Sequence, residues 1–360
     1  MPSFLGSPSF AHDQPDRLGI LLVNLGTPDG PDPANVRRFL AQFLSDPRLV
    51  EAPRWLWWLV LHGVILRLRP SRSAHAYRQI WTDRGSPLLL HSQAIAAKLK
   101  DRLDPQSGAV VELGMTYGNP SIPSSLRSLR DQGVRKLLVL PLYPQYSATT
   151  TASVFDAVSK ELQQWRWVPE LRFVSSYFDQ PEYLLSIAST ITDHRRTNAD
   201  SHMVFSFHGI PRRYLLAGDP YHCQCLKTAR LISQLAGLNQ EQWTVSFQSQ
   251  VGREEWLRPY TDELLMRLAR EGKRRVTVIC PGFATDCLET LEEIAIRNRE
   301  TFMANGGEFY DYIPALNASD AQIRLLTAVI NQHVQGWFKP RDEAELAQTK
   351  ARALRAGAER

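Results

Sequence analysis

Short apolar runs, each stopped by glycine or proline and each followed by a helical period, recur along this chain and constrain its fold more than any other feature. The first is Leu18 to Asn24 (LGILLVN), too short for a helix and ended by Gly26-Thr27-Pro28-Asp29-Gly30, so it reads as a buried strand. A helix is predicted over Pro33 to Leu44. Strands follow at Val110 to Met115 and Lys136 to Leu140, set among helices at Ser71 to Trp81, Leu88 to Leu103 and Pro123 to Asp131. The alternation β, α, β, α, β predicts a parallel, doubly wound sheet. After a helix over Thr151 to Trp165 the pattern repeats, with strands Leu171 to Val174, Met203 to Phe207, Trp243 to Phe247 and Val276 to Cys280. Helices Pro181 to His194, Tyr221 to Leu235 and Pro259 to Glu271 separate them, and an amphipathic helix over Ser319 to Trp337 follows. The fold class is α/β, and 360 residues suit two domains that each bury a core.

Parallel sheets place ligands at the carboxyl ends of their strands, so the chemistry is sought there. After Val276 to Cys280, Pro281-Gly282 stops the strand, and Asp286 with Glu289 three residues on resembles a capping box. Glu289, Glu293 and Arg297 fall four apart on one helical face. A cap and a solvated face explain them as readily as chemistry does. Phe205-Ser206-Phe207-His208-Gly209 places a histidine at another strand end, either structural or confronting Glu289 across one cleft as a base facing an anionic, metal-binding group. The loop Pro141 to Thr151 brings Tyr143, Tyr146 and several hydroxyls to a third strand end, where they suit a pocket wall. One C-x-C, Cys223 and Cys225, with His222 beside it does not complete a tetrahedral metal site. No G-x-G-x-x-G follows the first strand, so dinucleotide binding is not supported.

Charge and composition narrow the partners. A net charge of +5 with acids and bases interspersed argues against nucleic acid. Four cysteines without framework spacing suit a reducing, cytoplasmic compartment. Residues 1–16 lack a charged segment and an apolar core and are expected to be a flexible arm, not a secretory signal. From Lys339 the chain is charged and alanine-rich, a solvated helix or frayed tail. Ala52 to Arg69 is the most apolar stretch, with Trp55, Trp57 and Trp58 at its start and arginines at both ends. Its apolar core would span roughly 18 Å as a helix, too short for a bilayer. It suits a lip lying at a lipid interface, or an ordinary buried helix.

Eight segments in order carry a resemblance: VNLGTPDGP, YRQIWTDRGSPL, GMTYGNPS, LPLYPQYSATTTAS, FSFHGIPRRY, GDPY, SFQSQVGREEWLRPYTDE and CPGFATDCLETLEEI. Across residues 18–335 the chain resembles the ferrochelatases of proteobacteria. The resemblance implies two Rossmann-like domains with parallel four-stranded sheets flanked by helices. Residues 17–158 with 318–338 are expected to form the first domain, its cleft lip at 52–69, and residues 159–317 the second. It implies insertion of Fe(II) into protoporphyrin IX with release of two protons, iron being substrate and no cofactor being tightly bound. His208 and Glu289 match the family's site histidine and glutamate; Leu25, Tyr117, Tyr143, Tyr146, Phe283 and Asp286 match porphyrin-contact positions. Cys287 stands where animal members carry a second histidine, Thr116 replaces an arginine, and Arg297 replaces an acidic residue of some relatives. Ala148 replaces a cluster-ligating cysteine and no cysteine follows Cys287, so no [2Fe–2S] cluster is expected. A monomer with peripheral membrane contact through 52–69 is expected. Another metal chelatase, acting on a more polar tetrapyrrole or on coproporphyrin, and a carrier without turnover are the rival readings.

Overall fold

The computed structural model describes residues 4–6, 11–252, 254–337 and 343–359. Two parallel four-stranded sheets frame it. The first, ordered β2-β1-β3-β4, comprises β1 (Arg17–Thr27), β2 (Val110–Gly118), β3 (Val134–Pro141) and β4 (Glu170–Phe173). The second, ordered β6-β5-β7-β8, comprises β5 (His202–His208), β6 (Trp243–Gln248), β7 (Arg275–Ile279) and β8 (Phe309–Ile313). Helices on both faces explain why β1 is continuously apolar rather than alternating. Ile20 and Leu22 enter one core with Leu99 and Leu138, while Leu21 and Val23 enter another with Leu126 and Val154. The first of these cores continues into the second sheet through Phe205, Phe207 and Ile279.

Helix starts follow local chemistry where the sequence supplies it. Asp32 accepts from the N–H groups of Ala34 (2.9 Å) and Asn35 (3.1 Å), and Pro33 opens the helix Pro33–Leu44. Ser319 caps the helix Asp320–His333 through the Gln322 N–H. That helix runs back to the first sheet. Arg172 of β4 donates to the carbonyls of His333 (2.6 Å) and Gln335 (2.9 Å) and stacks over Trp337.

Several expectations need correction. The strand near 171 was expected to open the second domain, yet β4 pairs with β3, so the first domain extends beyond the 158/159 boundary. The helix Thr151–Leu162 is a crossover returning the chain to the same sheet. β8, absent from the predicted strands, pairs with β7 as an edge. The 1–16 arm is not free where it is described: Leu5 exchanges hydrogen bonds with Gln164 and Arg166, and Asp13 pairs with Lys350 at 2.7 Å. Residues 1–3 and 7–10 of that arm, and 339–342 and 360 of the tail, lie outside the described residues. The tail is helical over Glu343–Arg355.

The 52–69 stretch is not an ordinary buried helix. It forms a helix Arg54–Val60, a π-turn Leu61–Ile65 and the start of a helix Leu66–Ile80. Pro70 offers no N–H to the carbonyl one turn back, and the helix widens just before that point. No residue of Arg54–Val60 is buried; Trp55 is 71% and Trp58 59% exposed. Trp57 alone of the three indoles is tied down, donating to the Leu44 carbonyl at 2.6 Å. Among the described residues no helix is long and apolar enough to cross a membrane.

Candidate active site

His208 ends β5, in register with Gln248 at the end of β6. The next residue must be glycine: a Cβ on Gly209 would lie 2.9 Å from the Gln248 carbonyl and 3.1 Å from the Trp256 ring. The His208 ring is half-buried, and its Nδ1 lies 2.7 Å from the Gly209 carbonyl. A carbonyl only accepts, so Nδ1 carries the hydrogen and neutral His208 keeps its lone pair on Nε2. The buried Trp256 indole N–H near this ring has no hydrogen-bond partner.

Gln248 links His208 to the Glu289 segment. Its Nε2 donates to the Glu289 carbonyl at 2.8 Å, while its Oε1 accepts from the Ser206 hydroxyl at 2.7 Å. The following residue, Ser249, sits at φ +67°, a region that costs a non-glycine residue energy. Glu293 holds it there, accepting from its N–H (2.8 Å) and its hydroxyl (2.5 Å). Burial pushes the Glu293 carboxyl above its ordinary range, against the opposing pull of Ser249, Arg297 and His208. His208, Gln248, Ser249, Glu289 and Glu293 therefore form one cluster at the carboxyl edge of the second sheet.

The Glu289 helix differs from expectation. It is a π-helix over Glu289–Asn298, and Asp286 does not cap it. The buried Asp286 carboxylate instead accepts from Thr290 Oγ1 (3.0 Å), Tyr312 OH (2.7 Å), Asn317 Nδ2 (2.7 Å) and the Ala315 N–H (3.3 Å). These partners engage both of its oxygens, so Asp286 fastens the segment after β7 to the loop after β8. Arg297 donates to Glu292 at 3.1 Å and ends the acidic row. Leu288 and Leu291, either side of Glu289, pack against the cluster that holds Leu61 and Leu66 of the lip together with Tyr77, as does Leu25. Burial dominates the shifts of Tyr77 and Arg69, and Glu289 lies near enough for its negative charge to oppose loss of a proton from either.

First-domain residues meet the second domain beside this cluster. Leu25 is half-buried at the end of β1, its N–H held by Asn24 Oδ1 at 2.8 Å. Asn24 also donates to Ser92 and to Thr285, both at 3.0 Å, joining the end of β1 to the segment after β7. Gly26 has φ +109°, and a Cβ there would overlap the Tyr117 carbonyl. Tyr143 and Tyr146 are half-buried in the loop after β3; the Tyr143 hydroxyl is buried with no hydrogen-bond partner, and that burial pushes its pKa up. Phe283 is half-buried between two cores. Tyr117, by contrast, is 6% exposed, edge-on to Phe43 and donating to Asp46 at 2.7 Å.

Cys223 is exposed and Cys225 buried on the helix Tyr221–Leu235, and His222 stacks on Phe247, so these three side chains point apart. Among the described residues no three His, Cys, Asp or Glu side chains converge as a metal cage. The run Phe247-Gln248-Ser249-Gln250 at a strand end reads from sequence as polar lining, without the specific partners that Gln248 and Ser249 take here. Sequence reasoning passed over Asn24.

The family model described as Ferrochelatase matches residues 17–334. The chain belongs to the ferrochelatase family. Ferrochelatases from Nitrosococcus oceani and Marinobacter nauticus are 54% and 50% identical to it. The first match covers 93% of this chain and 92% of the relative, the second 96% and 94%. Membership makes the chain a metal chelatase, a lyase of haem synthesis that inserts metal into porphyrin. In fold it is similar to SirB from Bacillus subtilis, solved with Fe3+, at TM-score 0.54 and 12% identity over 89% of this chain and 98% of that one. The sirohydrochlorin chelatase SirB of Bacillus subtilis subspecies spizizenii, solved with cobalt, gives TM-score 0.51 and 12% identity over 89% and 97%.

Proposed function

We propose that the chain inserts Fe(II) into protoporphyrin IX, with His208 and Glu289 as the reacting pair. The observation carrying this reading is His208, its lone pair on Nε2, joined through Gln248 to the helix of Glu289 and Glu293. Free-base porphyrin must lose two N–H protons as the metal enters, so a base has to stand beside an anionic group that meets the cation. His208 Nε2 accepts a proton from the macrocycle. Glu293, whose pKa is raised by burial, takes it onward, and Glu289 meets the iron. A pair of weak ligands suits an ion that must leave for the product, since a closed cage would retain it. Leu25, Phe283, Tyr143 and Tyr146 grip the ring, and a cleft fitting a buckled macrocycle favours the species resembling the transition state.

Iron is thus a substrate, and no resident cofactor enters the reaction. The protein acts as a monomer in the cytoplasm, a compartment that suits its four free cysteines. The exposed indoles and flanking arginines of the lip touch a lipid surface, from which an apolar porphyrin is taken up. Charge at Trp58→Glu with Leu59→Glu is expected to lower partition onto anionic vesicles by about tenfold or more, two lost apolar contacts. Unchanged partition would end the membrane reading.

Competition decides among chelatases. Supplied together, Fe(II) with protoporphyrin IX should be preferred by about tenfold or more in kcat/KM over cobalt with a more polar tetrapyrrole and over coproporphyrin. A reversed preference would reassign the substrate.

A further inference from the structure

The motif Gly218-Asp219-Pro220-Tyr221 takes no part in the cluster above, yet its carboxylate is fully engaged. Asp219 Oδ2 accepts from the Ser147 hydroxyl (3.0 Å) and the Ala148 N–H (2.8 Å), and Oδ1 accepts from the Tyr221 N–H (3.0 Å). Ser147 and Ala148 belong to the first domain's loop after β3; Asp219 opens the second-domain helix Tyr221–Leu235. The same helix grips that loop twice more. Gln224 Oε1 accepts from the Tyr146 N–H at 2.7 Å, and Thr228 Oγ1 accepts from Gln145 Nε2 at 3.1 Å. Gln145, 2% exposed, also donates to Tyr183, whose hydroxyl donates to the Pro281 carbonyl at 2.7 Å. Pro281 begins the segment leading to Phe283 and Glu289. Hydrogen bonds from Asp219 and from Gln145, joined by the backbone of residues 145–148, therefore connect Asp219 along the tyrosine loop to the turn after β7.

We infer that Asp219 is a positioning residue, the clasp that sets the Tyr143–Tyr146 loop at a fixed distance from the second domain and so fixes the width of the porphyrin cleft. Its carboxylate accepts from a hydroxyl and an N–H of the loop, and such charge-assisted bonds are of the stronger kind. They join two domains rather than one helix to its own cap. The inference rests on Tyr146 and its loop forming a porphyrin wall, as proposed above.

Four variants test both parts separately. Asp219→Ala is expected to raise KM for porphyrin by about tenfold, the loss of two charge-assisted bonds, while KM for Fe(II) stays within about twofold. Gln224→Leu, which removes only the Tyr146 anchor, should shift KM for porphyrin in the same direction by a smaller factor, and it carries the test if Asp219→Ala does not fold. Asp219→Asn, keeping one acceptor oxygen, should recover part of the loss. Tyr146→Ala reports on the wall itself. If Tyr146→Ala weakens porphyrin binding but Asp219→Ala and Gln224→Leu do not, the clasp is refuted and the wall stands. If Tyr146→Ala leaves porphyrin binding unchanged, the wall reading falls and the clasp with it. Equal rises in KM for porphyrin and for Fe(II) would mark Asp219 as merely structural.

Discussion

Asp286→Asn is expected to loosen the segment that carries Glu289, and the loss is calculable from its contacts. The native carboxylate is 4% exposed and accepts from Thr290, Tyr312, Ala315 and Asn317, while its own N–H donates to Asn317 Oδ1 at 2.8 Å. An asparagine with its oxygen towards the first three donors turns its NH2 against Asn317 Nδ2. Flipping Asn317 offers no relief, because its amide would then face the residue 286 N–H. One charge-assisted bond is lost outright and three become neutral, a cost of about 2–4 kcal/mol. That is a large share of a typical stability of about 5–15 kcal/mol. The urea midpoint should fall by about 1 M or more, and metallation should slow because Glu289 starts its helix from this anchor. Asn317→Asp alone sets two carboxylates face to face and also destabilises. The double variant, asparagine at 286 and aspartate at 317, reverses the donor and the acceptor and should recover at least half of the loss. Additivity of the two single changes to within about 0.5 kcal/mol would refute this account of the anchor.

Two further outcomes concern pH. Burial raises the Glu293 pKa in the folded protein, so its favourable contribution is present below the ordinary glutamate value and is lost as pH rises through the raised value. Glu293→Gln should therefore gain unfolding midpoint relative to the native chain as pH goes from 4 to 8, while metallation falls; a relative loss over that window contradicts the assignment. Burial, with Lys273 nearby, lowers His202 to about 4 from 6.5, so its contribution is present above pH 6.5 and is lost as pH falls through about 4. His202→Gln should flatten the acid side of the stability curve by up to about 3 kcal/mol, and parallel curves would show that His202 is not responsible.

Much of the fold is legible in the sequence because buried parallel strands must be continuously apolar. Leu18 to Asn24, Lys136 to Leu140 and Met203 to Phe207 lie inside observed strands. β8 escaped because Phe309-Tyr310-Asp311-Tyr312-Ile313 is an edge with a half-exposed aspartate at its centre. β4 was assigned to the wrong sheet because pairing partners are set by the crossover and not by composition. At the site, Glu293 was visible as the helical neighbour of Glu289, and His208 as a strand-end histidine. Asp286 misled because Asp-x-x-Glu before a helix has the pattern of a cap. Its true partners, Tyr312 and Asn317, are distant in sequence and come close only through β8. The cross-domain roles of Asn24 and Asp219 gave no local signal, since Thr285 and the Ser147–Ala148 loop belong to the other domain.

Anaerobic Fe(II) insertion into protoporphyrin IX, followed as loss of porphyrin fluorescence, tests the central claim most directly. The native chain should turn over, and His208→Ala and Glu289→Gln should each lose about 100-fold or more in kcat while still binding porphyrin. Near-native turnover in either variant, or a native chain that binds porphyrin without metallating it, would contradict the two-residue site.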